Sequence, residues 1–170
     1  MRILVLDSLG GGGNFVPLED DRDKNGHGSL MVDVILSVNP KADVTAVKVV
    51  DGSGYTTSSL LCSGLIYAWE NSFDIISISL APNYLSPEVI YWLDTLANDG
   101  VIICAASGNG FPSALARYSS VVGVGALDED GNVASYTKNW DVLAPGYYKG
   151  RTGTSISCAY YVGLLSRGGD

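Results

Sequence analysis

Histidine, cysteine and charge are all scarce in this 170-residue chain, and each scarcity excludes something. With a single histidine, any acid–base chemistry centred on imidazole must run through His27. Three cysteines cannot form an even disulfide framework. Cys62, Cys104 and Cys158 each fall inside an apolar stretch, where a free thiol behaves as a small hydrophobe, and this points to a reducing compartment. No apolar run approaches the length needed to span a bilayer, so no membrane association is expected. The residues after Met1 already read as a strand, with no charged and apolar leader before them; a cytoplasmic setting without signal segment or propeptide is the expectation. Only 10 basic residues stand against 18 acidic ones, and the net charge of −8 repels phosphate, which excludes nucleic acid as a partner.

A charged content of 16% with 46% hydrophobic residues excludes a disordered tail, and the length suits one globular domain over residues 1–170. Short apolar runs alternate with helical patterns, the signature of an α/β fold with a mostly parallel central sheet and helices on both faces. The runs at Ile3 to Leu6, Val44 to Val50, Ile75 to Leu80, Val101 to Ala105 and Val121 to Ala126 predict strands. Leu30, Met31, Val34, Ile35 and Val38 recur at helix spacing, as do Leu60, Leu61, Gly64, Leu65, Ala68 and Trp69. A third helix is predicted from Ser86 as N-cap and Pro87 at the first helical position, stopping before Gly100.

Three residues sit in settings that a hydrolytic triad requires. Asp7 ends the apolar run Arg2-Ile3-Leu4-Val5-Leu6, His27 lies in Asn25-Gly26-His27-Gly28-Ser29, and Ser155 lies in Gly153-Thr154-Ser155-Ile156-Ser157. A neutral serine hydroxyl is a poor nucleophile. It needs a histidine to take its proton and a buried carboxylate to orient and stabilise that histidine. In an open parallel sheet ligands bind beyond the carboxyl ends of the strands, which places Asp7 at such an end and His27 and Ser155 at helix beginnings.

On these motifs the chain resembles the subtilisin-like serine proteases, the subtilases. Their Gly-His-Gly-Thr motif is matched by Gly26-His27-Gly28-Ser29, and their Gly-Thr-Ser-x-Ala motif by Gly153 to Ser157, with Ser157 in place of alanine. The order Asp, His, Ser is that of subtilisin. The resemblance implies a three-layer fold and a serine endopeptidase acting through Asp7, His27 and Ser155 without a cofactor. It also implies that Asn109, in Ala105-Ala106-Ser107-Gly108-Asn109, donates to the oxyanion. A protein or peptide substrate would bind as an extended strand between Ser79-Leu80-Ala81 and Gly52-Ser53-Gly54-Tyr55, with Ala105 and Ala106 walling the pocket before the scissile bond. For Leu80 a core role is an equal alternative.

The departures are as definite as the matches. The interval from Asp7 to His27 and the loop from Gly110 to Tyr118 are short, and Ala159-Tyr160 replaces the family's Pro-His pair. Two further readings therefore stand beside the peptidase: a peptide-binding pseudoenzyme, and an esterase or acyltransferase using the same groups. Asp21, Asp23, Asn25 and Gly26 fit half of an EF-hand loop, but Val32 stands where its final glutamate belongs, so a solvated loop without metal is expected. Gly10 to Gly13 lacks the dinucleotide fingerprint and is expected to be a flexible surface loop.

Overall fold

Alternation along β1 (Arg2–Asp7) assigns its side chains to two layers. Successive residues of a strand face opposite sides of the sheet. Leu4 and Leu6 enter one hydrophobic cluster, while Ile3 and Val5 enter the other. The computed structural model describes residues 1–168 and contains a seven-stranded parallel sheet in the order β2-β3-β1-β4-β5-β6-β7. Its other strands are β2 (Gly13–Asn14), β3 (Asp43–Lys48), β4 (Ile75–Ile78), β5 (Ile102–Ala106), β6 (Val122–Leu127) and β7 (Val142–Pro145). Strand order reverses around β1, which lies between β3 and β4, and the crevice beyond their carboxyl ends is the favoured ligand site of such sheets.

Helices α2 (Ser58–Asn71) and α3 (Pro87–Asn98) cover one face, packing Leu61, Leu65, Leu93 and Leu96. Helices α1 (His27–Val38) and α4 (Thr154–Leu165) cover the other, packing Met31, Ile35, Ile156 and Val162. The three-layer α/β expectation holds. Helix α3 starts as predicted, with Pro87 in its first turn and the Ser86 hydroxyl accepting the Val89 N–H. Among the described residues no helix is long and apolar enough to cross a membrane.

The structure corrects three local expectations. The strand predicted over Ile75 to Leu80 ends at Ile78, leaving Ser79 and Leu80 outside the ladder. Gly10 to Gly13 is held, because Gly10 N–H donates to the Asp21 carbonyl, Gly12 N–H donates to the Ala46 carbonyl, and Gly13 begins the edge strand β2. Close approach explains the glycine at position 12, since a Cβ there would lie 2.3 Å from Thr45 Cγ2. Strand β7 and the hairpin of β8 (Tyr147–Tyr148) and β9 (Arg151–Thr152) had no counterpart in the apolar pattern. Lys149 and Gly150 turn that hairpin with φ of 47° and 76°, the left-handed pair that matches strand twist.

Contact between α1 and α4 is closest at Gly163, where an added Cβ would lie 2.8 Å from Val38 Cβ and 3.2 Å from the Ile35 carbonyl oxygen. Gly163→Ala should therefore push the two helices apart and cost about 1–3 kcal/mol as overpacking, read as a lower urea midpoint with an unchanged m-value.

Candidate active site

Asp7 is the last residue of β1 and is fully buried. Its carbonyl accepts N–H bonds from Val49 and Val50 at 2.8 and 3.1 Å, fastening the exit of β3 to the same point. Its carboxylate faces the first residue of α1. His27 Nδ1 lies 2.8 Å from Asp7 Oδ1 and 2.9 Å from Oδ2, so the imidazole is held at one nitrogen and its Nε2 is left for other chemistry. The His27 side chain is one-third exposed, at 34%. Burial pushes the imidazole pKa down, but the hydrogen bond and charge of Asp7, assisted by Asp23, outweigh it and hold the pKa above its ordinary value.

The start of α1 lacks a capping side chain of its own, since Gly26 occupies the cap with φ of 86°. Three separate residues satisfy its first N–H groups. Asn25 Oδ1 accepts from His27 at 3.2 Å, Ser8 Oγ from Gly28 at 2.9 Å, and Asp23 Oδ2 from Ser29 at 2.7 Å. The Ser8 hydroxyl in turn donates to Asp23 at 2.8 Å and lies 3.3 Å from Asp7 Oδ1. Burial opposes ionisation of Asp23, but the bonds from Ser29, Gly26 and Ser8 prevail and hold its pKa at about 2. Asp23 and Asn25 thus serve the helix start, which accounts for part of the acidic stretch without a metal. Asp20 pairs with exposed Arg22, and its pKa falls to about 2.

Ser155 is the second residue of α4. Its hydroxyl donates to the Ser79 carbonyl at 3.1 Å, while the Ser79 hydroxyl donates back to the Ser155 carbonyl at 3.1 Å. No hydrogen bond joins His27 to Ser155 among the described residues. Ser79 nonetheless shares with Asp7 and His27 a cavity of about 240 Å³, also lined by Asn25, Gly54, Leu80 and Ala81. Asn109, in the loop after β5, accepts from Thr154 N–H at 3.0 Å and from the Thr154 hydroxyl at 3.1 Å through Oδ1. The orientation leaves Nδ2 without an acceptor in the described chain, beside Gly153. An amide whose acceptor end is fixed and whose donor end is unused can address an oxyanion.

Other sequence-predicted residues separate into two groups. Leu80 and Ala81 line both the 240 Å³ cavity and an adjoining one of about 530 Å³, whose wall also includes Gly54, Tyr55, Tyr84 and Val89. Leu80 also packs against the core, the other role its sequence setting allowed. Gly52 to Tyr55 is a turn instead of the expected extended segment. Asp51 Oδ1 accepts from Ser53 and Tyr55 N–H groups, Gly54 N–H donates to the Asp51 carbonyl, and Asp51 N–H donates to Tyr55. A carboxylate that gathers several local N–H groups folds the chain back on itself, which is why strand geometry fails there. Ala105 and Ala106 are buried on opposite faces of β5, one in each core cluster, and line neither cavity.

Sequence reasoning missed Ser8, Thr154 and Lys48. Only Lys48 carried a signal, as the one charge in the apolar part of β3; it is fully buried. The three thiols are buried and free, and burial raises Cys62 to about 11, Cys158 to about 12 and Cys104 well above its ordinary value. Thiols in that state are weak nucleophiles.

Residues 14–165 match the model of the subtilase family. M-protease of Shouchella clausii (strain KSM-K16) is 32% identical over 201 residues, covering 98% of this chain and 53% of that protein. Subtilisin Savinase of Lederbergia lenta is 32% identical, with 98% of this chain and 75% of that protein covered. Alkaline elastase YaB of Bacillus sp. (strain YaB) is 30% identical, with 98% and 53% covered. The chain thus spans about half the length of two of these relatives and three quarters of the other. A match running from β2 to the end of α4 takes in every strand but the first and both helices that begin at His27 and before Ser155, and the chain belongs to the subtilase family.

Proposed function

We propose that this chain is a minimal serine endopeptidase domain that hydrolyses peptide bonds through an acyl-enzyme. The observation that carries this reading is the approach of His27 Nδ1 to both oxygens of the buried Asp7 carboxylate, in a cavity also lined by Ser79, whose carbonyl accepts the Ser155 hydroxyl. Asp7 orients His27 and stabilises it when charged. To attack, Ser155 must release the Ser79 carbonyl and present its hydroxyl to His27 Nε2. Ser155 Oγ then bonds to the scissile carbonyl carbon, His27 takes its proton and returns it to the leaving amine, and water repeats the sequence to release the acid. Asn109 Nδ2 and backbone N–H groups at the start of α4 receive the oxyanion, with the positive end of the helix behind them.

Peptide substrate would lie along Ser79 to Ala81. Leu80 and Ala81 have left the sheet, and their backbone groups take no part in turn or loop hydrogen bonds, so they are available to an added strand. The Gly52 to Tyr55 turn forms the opposite wall. Three buried, reduced thiols suit a reducing compartment, and we place the enzyme's work there.

The Ser155 to Ser79 bond supports one competing reading, a peptide-binding protein whose nucleophile stays turned away from the base. A serine-directed fluorophosphonate separates the two. Labelling of Ser155 with hydrolysis of peptide amides, both abolished in Ser155→Ala, supports the peptidase; peptide binding without labelling supports the binder. Hydrolysis of small esters alone identifies an esterase.

Two further outcomes follow from the geometry. Asn109→Leu should lower kcat by roughly 10²–10³-fold with little change in KM, the loss general to oxyanion-hole donors, that of subtilisin among them. Because His27 works as a base only when neutral and Asp7 raises its pKa, kcat/KM should fall as pH drops through a value above 6.5. Asp7→Asn removes the charge that favours the protonated ring, so the acid limb should move to lower pH while the plateau falls on the order of 10⁴-fold. An acid limb that stays in place in Asp7→Asn would refute the assignment.

A further inference from the structure

Lys48 is the last residue of β3 and one of the largest side chains in the interior, with no exposure to solvent. An ammonium taken out of water must find acceptors for its three donors. Lys48 Nζ lies 2.7 Å from Glu19 Oε2, an ion-pair contact, and donates to the backbone carbonyls of Asp20 at 3.0 Å and Arg22 at 2.9 Å. The Lys48 ammonium, and after it the Gly52 N–H, hold the Glu19 carboxyl below its ordinary pKa against the opposing effect of burial.

These contacts reach both sides of the proposed peptide groove. On one side, the chain held at Arg22 continues into Asp23 and Asn25, which bond the first turn of the His27 helix. On the other, the second oxygen of Glu19 accepts the Gly52 N–H at 3.1 Å, at the start of the turn that carries Gly54 and Tyr55 to the cavity wall. The two sides also touch directly. A Cβ on Gly52 would lie 3.1 Å from Lys24 Cβ, and one on Gly54 would lie 3.3 Å from Asn25 Nδ2.

We propose that Lys48 and Glu19 are a positioning pair, which sets the Gly52 to Tyr55 wall of the peptide groove at a fixed distance from His27. An apolar pair of similar volume could fill the same space, but it has no directional bonds to hold three backbone groups in register. The charge is therefore there for geometry. Neither residue touches the reacting atoms, and the pair acts on how a peptide is held and not on the bond-breaking step. The proposal rests on the peptide-groove reading above.

The double substitution Lys48→Met/Glu19→Leu tests it, because buried ion pairs replaced by apolar residues often leave a protein folded. Folding is checked by circular dichroism and thermal melting. In the folded double variant, kcat/KM for a tetrapeptide p-nitroanilide should drop roughly tenfold, through KM, since uniform binding has been lost. Fluorophosphonate labelling of Ser155 and hydrolysis of p-nitrophenyl acetate, which do not use that wall, should change by less than about threefold. Equal losses on all three, or a loss on none, would overturn the positioning role. Should the double variant not fold, Lys48→Met serves for the same comparison, because it removes the bonds to the Asp20 and Arg22 carbonyls and leaves only the partly exposed Glu19 carboxylate without its partner. If the unsubstituted protein binds the peptide without cleaving it, Kd replaces kcat/KM as the measurement. If it neither labels, binds nor cleaves, the peptidase reading fails first, and that result is distinct from an unsplit loss in the variant.

Discussion

A carboxylate buried at the end of a parallel strand needs donors, and the donors that Asp7 finds decide the rest of this site. Its oxygens face His27 Nδ1 at 2.8 and 2.9 Å and also accept the Ser8 N–H at 2.8 Å. Its own carbonyl takes the N–H groups of Val49 and Val50. Strand β1, the beginning of α1 and the exit of β3 are thereby joined at one residue, on the strand where sheet order reverses. Desolvation makes each of these bonds stronger than it would be at the surface, and makes the loss of any one of them costly.

The two helices on that face divide the chemistry between them. Helix α1 begins with His27 and α4 carries Ser155 in its first turn, and the two helices approach closely at Gly163. Unsatisfied N–H groups at a helix start must be bonded, and the chain uses that necessity twice. At α1, Asn25, Ser8 and Asp23 each take one donor and so orient His27. At α4, Asn109 Oδ1 takes the Thr154 N–H, which turns Nδ2 outward beside Gly153. Helix capping and preparation of the site are the same set of bonds.

Short connections have little core of their own, and here polar contacts hold them. The acidic run from Glu19 to Asp23 illustrates this. Its carbonyls and one carboxylate surround the Lys48 ammonium, Asp20 pairs with Arg22, and Asp23 serves α1. The Gly52 turn is likewise closed by the carboxylate of Asp51. Net charge of −8 says nothing about this arrangement, because the acidic groups that matter are spent locally on backbone donors and on one hidden cation.

Local periodicity was enough to read β1, β3, β4, β5 and β6, the core-facing stripes of α1 and α2, and the start of α3, because burial of a face imposes a repeat of two or 3.6 residues on the chain itself. Asp7, His27, Ser155 and Asn109 stood out for a related reason: the chemistry proposed for them demands particular residue types in particular short settings. What had no local signature depended on partners distant in the chain. Whether Ala105 and Ala106 face a pocket or the core is decided by helices on both sides of β5, the partner of the Ser155 hydroxyl is decided by Ser79, 76 positions away, and the Gly52 to Tyr55 turn, closed locally by Asp51, is tied down by Glu19, 33 positions before Gly52. The sequence by itself determined the five central strands, the helices that cover them and the residue types proposed for the site. Only the tertiary structure decided the distances and orientations between them, because hydrogen bonds and packing across the sheet act between residues that no repeat along the chain connects.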